Sequence, residues 1–104
     1  MMNKSKSMFE LLEQADRVLT DVQVLDNHLL LANKSATQAG KARAIELYIQ
    51  DAARFMAKWL PDAGIEVTTH AEAQAAHMVL MHLAIEKYRE DARVMMNYIR
   101  MNNY

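Results

Sequence analysis

The stretch THAEAQAAHMVLMHLAIEKYREDARVMMNYIRM, Thr69 to Met101, decides the fold class. Thr69-His70-Ala71-Glu72 has the spacing of a capping box, in which a hydroxyl accepts from an early helical amide and a carboxylate three residues on reaches back. Beyond it Met78, Met81, Ile85, Tyr88, Ala92, Met95 and Ile99 recur at steps of three and four, with Ala84, Val94, Tyr98 and Met101 beside them. That period marks one face of an α-helix and excludes the alternation of a strand. Neither proline nor glycine interrupts the run, so it reads as one helix over 70–101 whose Met stripe is core or interface. At 1.5 Å per residue such a helix is about 45 Å long, more than a small domain needs, which predicts overhang or self-association.

The rest of the chain repeats the pattern. Ser7-Met8-Phe9-Glu10 is a second capping box, and Leu11, Ala15, Val18, Val22, Leu25 and Leu29 continue from it as a stripe that Leu12 and Leu19 widen. The first helix is therefore placed over 8–32. Val24, Leu30 and Leu31 lie off its stripe and suggest contact on more than one side near its end. Residues 33–40 break the pattern: either Ser35 and Gln38 cap a helix that runs through Gly40, or a loop lasts until Lys41. The second helix, 36/41–60, carries Ala42, Ile45, Ile49, Ala52, Met56 and Trp59. Pro61 ends it, because the residue before a proline disfavours helical geometry, and Pro61-Asp62-Ala63-Gly64 has turn chemistry. Ile65-Glu66-Val67 reads as extended, its two apolar residues plugging the end of the bundle.

The expectation is one all-α domain over 1–104, an antiparallel bundle of about three long helices, completed by dimerisation if the long third helix pairs with a copy of itself. Residues 1–6 and 102–104 are expected to fray. Leu25, Ile49 and Ile85 are expected core positions, where Asp should unfold the domain.

Composition narrows the function. In 104 residues there are 2 glycines, 1 proline, 9 methionines and no cysteine, which suits long helices and leaves no disulfide or thiolate chemistry. The absence of cysteine fits a cytoplasmic protein. The N-terminal Lys4 and Lys6 are followed by Phe9-Glu10-Leu11-Leu12-Glu13 and not by a signal-peptide core. The longest wholly apolar run, Leu29 to Ala32, is far below the ~20 residues that cross a bilayer, so no membrane role is expected. A net charge of −1 argues against nucleic acid as the main partner. Charge is uneven, however. Glu10, Glu13, Asp16, Asp21 and Asp26 make the first helix acidic, whereas Lys34, Lys41, Arg43, Arg54 and Lys58 make the second basic, and the two signs should pack together.

The residues offer no reaction. His28, His70, His77 and His82 lack the three- or four-residue spacing that puts two ligands on one metal, and the Glu-x-x-His repeat of carboxylate-bridged metal bundles is absent. His82, Glu86 and Glu90 share a face but read as a solvated stripe. The hydroxyls sit at caps and termini, and Gly40 and Gly64 form no phosphate loop. No catalytic residue, metal or cofactor is expected.

What remains is interaction chemistry. Arg, Tyr and Met are enriched at interface hot spots and adaptable binding surfaces. The partner-binding candidates are thus Arg89, Arg93, Met96, Tyr98, Arg100 and Tyr104 on the third helix, with Pro61 and Ile65 in the loop before it. The reading is a non-enzymatic helical module that regulates or inhibits a larger protein partner, of the kind small bacterial or phage accessory genes encode. A self-assembling helical module, present as a homodimer, is the alternative. A nucleic-acid-binding regulator is a third, disfavoured because Glu86, Glu90 and Asp91 offset the arginines.

Overall fold

The computed structural model describes residues 8–102. They form α1 (Met8–Lys34), α2 (Gln38–Trp59), a 3-10 turn (Pro61–Ala63) and α3 (His70–Asn102), with no strand among the described residues. The chain is an all-α three-helix bundle, and the helix ends fall within two or three residues of those read from periodicity.

The local signals explain the boundaries. Thr37, not Ser35, caps α2: its Oγ1 accepts from the Gly40 amide at 3.0 Å, while Ser35 Oγ donates to the Thr37 carbonyl at 3.1 Å. The helix therefore runs through Gly40. A Cβ on Gly40 would sit 2.4 Å from Ser35 Oγ, so the glycine makes room for this cap. Before α3 the capping box forms as the sequence predicts. Thr69 Oγ1 accepts from the Glu72 amide at 3.2 Å, and Glu72 Oε1 accepts from the Thr69 amide at 3.0 Å and the Thr68 amide at 2.9 Å. Gly64 takes φ 63° after the 3-10 turn, a left-handed conformation that glycine adopts without strain. The Ser7 cap expected before α1 lies outside the described residues.

Side-chain pairs fix the helix directions. His28 meets Asp51 and Asp21 meets Lys58, so α1 and α2 are antiparallel. Asp26 meets His77 and Asp16 meets Tyr88, so α1 and α3 are antiparallel too. The antiparallel bundle thus holds for α1 against each partner, while α2 and α3 share a direction. The segment from Leu60 to Thr69 must accordingly travel back along α2. This is why it is extended, and why Tyr48, in the middle of α2, touches the first turns of α3. Val67 is buried on the core during that return, whereas Ile65, expected to plug the bundle with it, is 55% exposed.

α2 ends beside Asp21, in the middle of α1. The first half of α1 and the second half of α3 therefore pair as a two-helix arm beyond the three-helix region. That arm explains principal extents of 62 × 28 × 16 Å and a radius of gyration of 17.5 Å, against about 13 Å for a compact domain of this length. The overhang expected from the length of α3 is present.

The core joins Val22 and Leu25 of α1 to Tyr48, Ala52, Phe55 and Met56 of α2, Val67, and Ala73, Ala76 and Leu80 of α3. The stripe read for α1 is buried from Ala15 to Leu25, but Leu30 and Leu31 are exposed and no second contact covers them. On α2 the buried face is turned towards Ala44, Tyr48 and Phe55, leaving Ala42 exposed and Ile49 and Trp59 at the margin. On α3 the correction is larger. Ile85, expected in the core, is 43% exposed, and Met78 and Met81, of the stripe read as core or interface, are 62% and 43% exposed, while Ala73, Ala76, Leu80 and Ala84 are buried. The physical reason is volume. Tyr48 and Phe55 project from α2, and a ridge of alanines on α3 lets the helices close around them where Met and Ile would not fit.

Candidate functional site

Two features of α3 could serve a function, one facing inward and one outward. Inward, His77 is buried among all three helices. Its Nδ1 lies 2.9 Å from Tyr48 Oη, and its Nε2 lies 2.9 Å from Asp26 Oδ1, close enough for an ion pair although the direction falls short of a hydrogen bond. Tyr48 Oη also stands 3.5 Å from the Ala73 carbonyl, and the Tyr48 ring packs edge-on against His70 and His77. Burial, reinforced by the Asp26 charge, pushes the Tyr48 phenol above its ordinary pKa, so it stays a neutral donor. A hydroxyl donating to Nδ1 leaves the proton on Nε2, facing Asp26. The contact pairs two buried polar groups across α2 and α3 and sets Asp26 of α1 beside the same ring.

Asp21 and Asp16 of α1 also reach other helices. Asp21 Oδ2 accepts from Trp59 Nε1 at 2.7 Å and Lys58 Nζ at 2.9 Å, and Asp16 accepts from the Tyr88 hydroxyl, which raises the Tyr88 pKa. His28 Nε2 meets Asp51 Oδ2 at 2.7 Å, with Arg54 on the other carboxylate oxygen at 3.1 Å. Asp16, Asp21 and Asp26 of α1 thus meet the other helices, α3 as well as the basic α2, while Glu13 pairs with Arg17 inside α1. Among the described residues no cluster of three or more histidines and carboxylates is placed to hold a metal ion.

One buried acid differs. Asp91, on the arm, is 2% exposed, and no donor among the described residues reaches either carboxylate oxygen. Its pKa is raised by burial first and by Glu90 next, with Lys87 opposing.

Outward, Met78, Met81, Ile85 and Met96 follow one another at helical spacing on the exposed side of α3, Met96 being 59% exposed. Arg89, Arg93 and Arg100 are exposed in the neighbouring row. Four of the sequence-selected candidates, Arg89, Arg93, Met96 and Arg100, are therefore brought together on one helix face. The Tyr98 side chain and Tyr104 lie outside the described residues. Pro61 and Ile65 are exposed, but on the return segment, a separate element. Sequence reasoning placed Ile85 in the core and left the Met stripe open between core and interface, so none of the three was selected as a surface residue. The competing stripe Ala73, Ala76, Leu80, Ala84, with steps of three and four, was the signal that could have found them.

Comparison with protein-family models, curated proteins and solved structures finds no match to this chain. Function must be read from the geometry.

Proposed function

We propose that this chain is a small, non-enzymatic helical module that binds a larger protein and regulates or inhibits it by covering part of its surface. The observation that supports this most is the exposed apolar row of Met78, Met81 and Ile85, which continues to Met96 on a helix whose opposite side is already buried. Scattered surface apolar residues need no explanation, but a continuous row on a rigid element is the form that helical interaction faces take. Methionine suits the role, since its flexible thioether adapts to a partner's contours.

No described helix is long and apolar enough to cross a membrane, and the cysteine-free composition supports a cytoplasmic setting as part of the same proposal. The test is affinity capture from bacterial lysate with the wild-type chain and with Met81→Glu/Ile85→Glu. A stoichiometric protein retained by the first and lost from the second is the expected result. Identical captured proteins for both chains, or none for either, would remove the proposal.

A further inference from the structure

The apolar row of α3 is bordered by charged residues. At 100° per residue, the row of His82, Arg89, Arg93 and Arg100 is centred about 60° round the helix from that of Met78, Met81, Ile85, Ala92 and Met96, with Arg89 only about 20° from Met78 and Met96, on the side away from buried Leu80, Ala84 and Asp91. Glu86 and Glu90 lie further round still. Four other cations are paired: Arg17 with Glu13, Arg43 with Glu46, Arg54 with Asp51 and Lys58 with Asp21. Among the described residues, by contrast, no carboxylate lies within 4.0 Å of the Arg89, Arg93 or Arg100 head groups.

Resting on the interaction reading above, we infer that the outer face of α3 seats an amphipathic helix of a partner protein. The apolar side of that helix lies on Met78, Met81, Ile85 and Met96, and its acidic flank faces Arg89, Arg93 and Arg100. From Met78 to Arg100 the face is about 33 Å long, room for roughly 20 residues of helix. Apolar anchoring supplies the affinity, and the arginine border supplies the choice of partner.

The test uses the full chain and two fluorescent synthetic helices of about 20 residues. They share one Leu/Met face and differ only in carrying Glu or Lys along the flank. Anisotropy titrations should show the Glu peptide binding at least about tenfold more tightly than the Lys peptide at low salt, with the ratio shrinking as salt rises. Arg89→Glu/Arg93→Glu should reverse the preference while circular dichroism stays unchanged, and Ile85→Glu should abolish binding of both peptides. Equal affinities, with Ile85→Glu still abolishing them, would overturn the acidic partner and leave the interaction module standing. No saturable binding of either peptide would overturn both. A dilution-resistant dimer in light scattering that Ile85→Glu dissolves would assign the face to a second copy and likewise overturn the inference.

Discussion

Single side chains carry sharply different loads in this molecule. Tyr48 is fully buried and shares its hydroxyl with His77 Nδ1, so Tyr48→Phe keeps the packing but leaves a buried ring nitrogen without a donor. A loss of about 1–3 kcal/mol in chemical denaturation is expected, and an unchanged midpoint would show that the contact is incidental. Asp91 should behave in the opposite way. Its folded pKa is raised, so its favourable contribution is present at low pH and is lost as pH rises through the folded value. Asp91→Asn, which imitates the protonated form, should stabilise the protein at neutral pH by roughly 1 kcal/mol, an advantage that fades on acidification. Destabilisation at neutral pH would instead mean that the charge has a partner. Gly40 gives a third case. Alanine usually favours a helix interior by about 1 kcal/mol over glycine, yet Gly40→Ala meets Ser35 Oγ at 2.4 Å and should lower the melting temperature. Gly40→Ala/Ser35→Ala should restore most of the loss.

At the scale of elements, helix identity and ends were legible because they depend on local chemistry. The capping box of Thr69 and Glu72, the stop at Pro61 and the unbroken run through α3 all operate within a few residues. Glu72, held below its ordinary pKa chiefly by the Thr68 amide, stabilises the start of α3 above the unfolded carboxylate range and ceases to as pH falls through its lowered value. Glu72→Gln should accordingly lower the melting temperature at neutral pH, and the difference should close in acid. Which face each helix buries was less legible, because it is settled by the partner helix. On α3 two stripes compete: one rich in Met and Ile, which hydrophobicity favours, and one of alanines around Leu80, which fits the aromatic side chains of α2. His77 and Asp91 sit inside the buried stripe and disguise it as polar. The basic row of Arg89, Arg93 and Arg100 was found from residue type alone, since nothing in the core competes for arginine.

For the molecule as a whole, the two-helix arm follows from the direction of α2, which no local signal encodes. Its backbone bonds are shielded by one neighbour instead of two, and it contains the unsatisfied Asp91, so it should open at lower free energy than the three-helix region. Hydrogen exchange should be faster in α3 from Arg89 to Arg100 than from Ala73 to Ala84, and uniform protection along α3 would contradict that division. The functional proposal depends on a different property, that the Met78, Met81 and Ile85 side of α3 is surface and its alanine side is core. The measurement that tests this most directly is equilibrium denaturation of Met81→Glu/Ile85→Glu beside Leu80→Glu, with wild type as reference. The first variant should unfold within about 1 kcal/mol of wild type, and the second should lose several kcal/mol or fail to fold. Comparable collapse of both variants would place the methionine row in the core and contradict the account.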